Sequence, residues 1–231
     1  QLGVRVNSID ALVLSHAHYD HTGGLRQLVE AEGGRFSVIA HPEVTRKVFS
    51  TSSGLRYIGL ESGVLEALPP SRLLLLQEPA EIYPGIWTSG TIDRKTEFES
   101  AEENVYVVED GAMVEDEELD DMALIFDLGD YGQVVLTGCS HAGVVNTVIS
   151  AESLHPGSPL RGLMGGFHLI DKSPELRRRT AEALAEREGL VVYSGHCTGW
   201  EGEKLLSDVL GERWMGFYTG DTIVFPGESG S

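Results

Sequence analysis

Residues 16–21 read His-Ala-His-Tyr-Asp-His, so four side chains able to bind a metal ion fall within six positions. No other feature restricts the fold of this chain as strongly. The apolar run at 9–14 reads as a buried strand that stops at Ser15, and the ligands follow at once. Histidines two apart at a strand end project to one side, so His16 and His18 can share one metal. Asp20 and His21 follow on the turning loop and can reach a second ion. Imidazole and carboxylate are the ligands expected for zinc, and they also suit iron or manganese. Thr22-Gly23-Gly24 then lets the backbone turn tightly into the next helix.

Beyond this loop the pattern alternates. A helix is predicted over 25–31, ended by Gly33-Gly34, and a strand over 36–40. A helix is expected near 42–49, a polar turn at 50–54 and a strand at 73–76. The strongly acidic stretch 99–121 reads as a mobile loop or insertion, with 105–108 able to form a strand inside it. Strands at 122–127 and 133–137 flank a Gly-Asp-Tyr-Gly turn, and a helix follows at 143–154. Residues 162–166 lead into another motif. Ser173-Pro174-Glu175 opens a helix to about 188, with a capping serine, proline at the first helical position and an early acid. A strand at 190–193, a helix at 202–210 and a last strand at 222–225 complete the series. Strands alternating with helices indicate an α/β architecture, and no repeat or low-complexity linker divides it, so residues 1–231 read as one domain.

The 17 basic residues against 36 acidic ones give a formal net charge of −19, which argues against a nucleic-acid partner and against an anionic membrane surface. An acidic protein can still take a phosphate-bearing small molecule where metal ions supply local positive charge. No stretch approaches the ~20 apolar residues of a membrane-spanning helix. The first residues show neither a basic start nor an apolar segment, so the expected compartment is cytoplasmic. Two cysteines, Cys139 and Cys197, make no disulfide framework. Each lies beside a histidine in a glycine-bearing motif, which points to a site.

His16-Ala17-His18-Tyr19-Asp20-His21 matches the signature H-x-H-x-D-H, and the chain resembles the metallo-β-lactamase superfamily. Later segments resemble one branch of it. They are Ser89-Gly90-Thr91-Ile92-Asp93-Arg94, Asp120-Asp121-Met122-Ala123-Leu124, Thr137-Gly138-Cys139-Ser140-His141-Ala142-Gly143, Gly165-Gly166-Phe167-His168-Leu169 and Gly195-His196-Cys197-Thr198-Gly199. That branch is the 7,8-dihydropterin-6-methyl-4-(β-D-ribofuranosyl)aminobenzene-5′-phosphate synthase-like family. The resemblance runs from about residue 8 to the C-terminus.

The resemblance implies an αββα sandwich with two divalent metal ions, zinc first and iron or manganese as alternatives. His141 is then expected as the third ligand of site one and His196 as a ligand of site two. The strand at 134–138 normally ends Thr-Gly-Asp, yet residue 139 is cysteine. Cys139 either binds or bridges metal as a thiolate or is a small buried thiol. His168 is open to a substrate or acid–base role, to metal and to structure, with the first favoured. Cys197 is expected to pack or to support a ligand rather than to bind metal. The superfamily also implies strands ahead of the signature, and only fifteen residues precede His16. The expectation is therefore an abbreviated first sheet, in a piece of a longer protein or in a homo-oligomer that covers the open edge.

The implied chemistry is attack by metal-activated water, with Asp20 positioning it and His168 donating a proton to the leaving group. Hydrolysis of a phosphodiester, lactone or thioester fits, and so does a pterin-related synthase that binds phosphate or assists departure of pyrophosphate. A metal-binding redox protein and a non-catalytic metal-binding protein are the alternatives from other classes.

Overall fold

The computed structural model describes residues 5–32 and 35–226. The first half runs β1 (Ala11–Val13), α1 (Tyr19–Thr22), α2 (Leu25–Glu32), β2 (Ser37–Ala40), β3 (Val48–Ser50), β4 (Arg56–Tyr57) and β5 (Leu73–Leu75). Then come β6 (Ala80–Tyr83), β7 (Ile86–Thr88), β8 (Val105–Glu109), β9 (Ala112–Glu115), β10 (Leu124–Asp127) and β11 (Gln133–Leu136). The remainder is α3 (Val144–Leu154), β12 (Leu160–Gly166), α4 (Pro174–Ala185), β13 (Val191–Gly195), α5 (Gly199–Leu210) and β14 (Trp214–Gly216). None of these helices is long and apolar enough to cross a membrane.

The described residues form two compact units, one within Gln1–Gln77 and Ala101–Met122, the other within Glu78–Ser100 and Ala123–Ser231. In the first unit a parallel three-stranded sheet has the order β1-β2-β5, as small as the sequence leads one to expect. Leu14, Ala17, Leu25, Val29, Phe36, Val38 and Ala40 build its core together with Val105 and Val107. A second sheet of this unit, β4-β3-β8-β9, is antiparallel. It overturns the expectation of a mobile acidic loop. Asp110 and Gly111 have φ of 49° and 82° at the tip of the β8–β9 hairpin. Two positive φ values are what the favoured two-residue hairpin turn requires, and Asp-Gly supplies them. Val105 and Val107 are buried at 4% and 0% exposure, so the hairpin carries core residues. The helix expected near 42–49 is also corrected. It is one 3-10 turn, Pro42–Thr45, capped by His41, whose side chain accepts from the N–H of Glu43. Val48–Ser50 then pairs with both β4 and β8, and cross-strand pairing overrides the local helical pattern.

The second unit holds a seven-stranded sheet in the order β14-β13-β12-β11-β10-β7-β6. β11, β12, β13 and β14 are mutually parallel, and α3, α4 and α5 make the three crossovers between them. Strands covered on both faces must be apolar, and Val135, Leu163 and Val192 are completely buried at their centres. Val145, Val148 and Ala151 of α3, Ala181 and Leu184 of α4, and Leu206 and Leu210 of α5 pack into the same core. The Ser173 hydroxyl accepts from the N–H of Leu176, the cap expected for α4. The strand expected at 222–225 is absent, and Trp214–Gly216 forms the edge strand in its place. A Cβ on Gly162 would lie 2.7 Å from the Phe225 ring, which also stands 6.0 Å from that of Tyr193. The hairpin β6–β7, not expected from the sequence, turns through Pro84-Gly85, with Gly85 at φ 74°. The helix end expected at Gly33-Gly34 lies outside the described residues.

Candidate metal centre

In the first unit the signature loop is fixed by its backbone before any side chain matters. The Leu14 N–H donates to Ile39 O (2.9 Å), that of Tyr19 to Ile58 O (2.8 Å), and that of Met122 to Ser15 O (2.8 Å). The Ala17 N–H, between the paired histidines, donates to the buried Asp120 carboxylate at 2.7 Å. The sequence placed Asp20 and His21 on a turning loop. They lie instead on the one-turn helix α1, which His18 precedes in extended conformation. The buried Thr22 hydroxyl bonds back to the carbonyls of Ala17 and His18 (3.0 and 3.1 Å) and tightens that turn.

The imidazoles gather as a result. The His16 ring is 4.8 Å from that of His18 and 4.2 Å from that of His21. His16 is buried to 2% exposure, and its Nδ1 shares a hydrogen bond with the Ser15 hydroxyl at 3.0 Å. That contact helps to orient the ring. The Asp20 carboxylate lies 3.5 Å from His21 Nε2 and is the more exposed of the two.

In the second unit the chemistry-bearing residues stand at the C-terminal ends of three adjacent parallel strands, where α/β sheets bind their ligands. Cys139 and His141 follow β11, His168 follows β12, and His196 and Cys197 follow β13. Ser140, His168 and His196 each have positive φ, at 58°, 42° and 54°. Three non-glycine residues in this region, on neighbouring strand ends, mark an over-determined and strained site.

The strain is held by stitches between the turns. Gly166 N–H donates to Gly138 O (2.8 Å), and Ile170 N–H to Cys197 O (3.2 Å). Phe167 N–H donates to the Thr198 hydroxyl (3.1 Å), and His168 N–H to Cys197 Sγ (3.3 Å). The Ser140 hydroxyl donates to Gly166 O (2.9 Å). Buried Arg177 donates to the carbonyls of Leu169 and Ile170 at 2.8 and 2.6 Å and pairs with Glu201, fixing the segment after His168. Arg94 donates to the His141 carbonyl at 3.3 Å.

Two ligand sets result. One donor atom each from Cys139, His141 and His168 lie within 4.8 Å of one another, and so do those of Cys139, His196 and Cys197. The His141 and His168 rings are 4.6 Å apart. The Cys197 thiol is lowered to about 4, first by its hydrogen bond with Cys139 and then by contacts with His168, which together outweigh burial. Imidazole and thiolate gathered this closely are donors of a zinc-class ion, so the residues present fit the metal that the sequence implies.

Sequence reasoning did not assign roles to several supports. Asp120 and Arg94 lie in quoted motifs, but their task becomes visible only through long-range hydrogen bonds. Glu99 gave no signal. Its buried carboxylate accepts from the N–H groups of Val145 and Asn146, both at 2.9 Å, and so caps α3 from 46 residues away. Burial pushes its pKa up against those bonds. Gly143 opens the space, since a Cβ there would lie 2.4 Å from Glu99 Oε2.

Comparison with known proteins identifies the family. A family model for a beta-lactamase superfamily domain matches residues 2–60, which include the signature loop. The 7,8-dihydropterin-6-methyl-4-(β-D-ribofuranosyl)-aminobenzene-5′-phosphate synthase of Methanocaldococcus jannaschii is 30% identical over 230 residues, 97% of this chain and 78% of that protein. The chain belongs to the metallo-β-lactamase superfamily. An uncharacterized protein of the same organism is 34% identical over 201 residues, 87% of this chain and 73% of its own. The crystal structure of Tm1679, described as a metal-dependent hydrolase of the β-lactamase superfamily, matches with a TM-score of 0.81 at 24% identity. It covers 97% of this chain and 82% of that one. This chain shares the metallo-β-lactamase fold of that structural neighbour, with the α/β architecture expected from the sequence.

Proposed function

We propose that this chain is a binuclear metal-dependent enzyme that acts on a phosphate-bearing small molecule, in the manner of the pterin-related synthase it resembles. The observation that carries the reading is the 30% identity to that synthase along 97% of the chain, spanning both ligand-bearing regions. Under it His16, His18 and His141 serve one ion and Asp20, His21 and His196 a second, with Cys139 in the place of the usual bridging carboxylate. Zinc is the first choice, with iron or manganese as alternatives.

Divalent ions held there would lower the pKa of water and polarise a phosphoryl oxygen. The protein's own part is positional. Asp20, exposed beside His21, is placed to orient an incoming nucleophile. The His168 backbone is fixed by its N–H bond to Cys197 and by the Arg177 clamp on the next two carbonyls, and its ring would give a proton to a departing oxygen. The formal net charge of −19 makes metal ions the natural source of positive charge for a phosphate group, and a nucleic-acid partner remains disfavoured.

The second reading is a hydrolase of phosphodiesters or lactones, favoured by the fold shared with a metal-dependent hydrolase. One assay separates the two. The metal-loaded chain is given a dihydropterin pyrophosphate with ribofuranosylaminobenzene phosphate, and in parallel a panel of phosphodiesters and lactones. Pyrophosphate release that requires both substrates supports the synthase reading. Turnover confined to the ester panel replaces it with the hydrolase reading, and inactivity in both arms with metal bound contradicts the proposal of an enzyme of either kind.

A further inference from the structure

Cys139 and Cys197 come from strand ends that are not neighbours, because β12 runs between β11 and β13. They meet because the middle strand ends without side chains. Gly165 and Gly166 close β12, and a Cβ on Gly166 would lie 2.6 Å from Cys197 Sγ and 3.4 Å from His196 Cδ2. Gly165, at φ 137°, passes so near β11 that its Cβ would sit 2.3 Å from Thr137 O. The two glycines therefore leave a gap at the end of β12, and the Cys197 thiol occupies it, within reach of the turn that carries Cys139. Cys197 Sγ lies 3.8 Å from the Cys139 carbonyl, and the donor atoms of Cys139, His196 and Cys197 all fall within 4.8 Å of one another.

A tetrahedral ion with metal–sulfur bonds of about 2.3 Å and metal–nitrogen bonds of about 2.0–2.1 Å spaces its ligands about 3.4–3.8 Å apart. The observed set is within about an ångström of that spacing, and a side-chain rotation closes the difference. We propose that Cys139, Cys197 and His196 together ligate a thiophilic ion of the zinc class, making one of the two metal positions sulfur-rich. The proposal rests on the reading of this region as a metal centre and adds to it a residue, Cys197, which the sequence assigned to packing or to the support of a ligand. Both thiolates and the imidazole belong to one compact unit, so the set is assembled without the signature loop. Soft thiolate donors would bias this position toward zinc, iron or copper(I) and away from manganese and magnesium.

The test is cobalt(II) substitution of the whole chain, read by absorption. Two cysteines are present in the sequence, so a near-ultraviolet thiolate-to-cobalt charge-transfer band reports on them alone. The band is expected in the wild-type chain, at about half intensity in Cys139→Ser and in Cys197→Ser, and retained in His18→Ala. Bound cobalt with no such band overturns the proposal, and so does a Cys197→Ser variant that keeps the full band. A His18→Ala variant without the band overturns the claim that the set stands apart from the signature loop. Zinc X-ray absorption on the unsubstituted chain needs no variant, and two sulfur neighbours at about 2.3 Å are expected per sulfur-rich ion, against one or none if the proposal is wrong. A wild-type chain that binds no metal at all instead contradicts the proposed function, so the two failures are distinguishable.

Discussion

The Asp120 carboxylate accepts a hydrogen bond from the Ala17 N–H at 2.7 Å across 103 residues of sequence. Ala17 lies between His16 and His18, so this one contact sets the direction in which both imidazoles leave the backbone. Groups that orient metal ligands typically change affinity by about 10–100-fold when removed. Asp120→Ala is expected to weaken metal binding by that factor, measured by competition with a chelator, while Asp120→Asn, which keeps an acceptor oxygen, recovers part of it. Unchanged affinity in Asp120→Ala would show that the loop holds its shape without this bond.

Gly166 leaves no room for a side chain beside the site. An alanine Cβ there would meet Cys197 Sγ at 2.6 Å and Gly138 O at 2.8 Å. The second contact is with backbone and cannot rotate away. Gly166→Ala is expected to cost about 1–3 kcal/mol in urea denaturation, as overpacking of a close-packed site does. A loss below about 0.5 kcal/mol would mean that the turns are looser than their hydrogen bonds indicate.

Glu99 makes stability depend on pH in a direction opposite to that of most carboxylates. Burial raises its pKa in the folded chain, in spite of the bonds from Val145 and Asn146. The folded state thus binds its proton more tightly than the unfolded state. The stability this contributes is fully present below the unfolded value of about 4.3 and is lost as pH rises through the folded value. The stability difference between wild type and Glu99→Gln should therefore fall as pH climbs above that range. A difference that is flat or rises with pH would reverse the assignment. Glu99→Ala, which strips the cap from two buried N–H groups, is expected to cost about 1–2 kcal/mol near neutral pH.

Legibility followed the range of the interaction. The signature loop, the crossover helices and all the parallel strands but the last were readable because each is written in contiguous residues, such as the apolar run before Ser15 or the Ser173-Pro174-Glu175 cap. The β8–β9 hairpin was obscured by its acids, although Asp110-Gly111 carries its turn signal. The short strand Val48–Ser50 and the edge strand Trp214–Gly216 are defined by their partners, which no local pattern reveals. In the site, the residue types that bind metal stand out in the sequence. Their supports do not, because Asp120, Arg94 and Glu99 act on backbone groups 103, 47 and 46 residues away.

The most direct measurement is the metal content of the purified chain after reconstitution, compared with that of His18→Ala by elemental analysis and accompanied by the substrate assays. The account expects two ions per wild-type chain, and loss of turnover and of the signature-loop ion in the variant, with the sulfur-rich position still filled and the fold retained by circular dichroism. Full metal content in His18→Ala would contradict the assignment of the signature loop as a metal-binding centre.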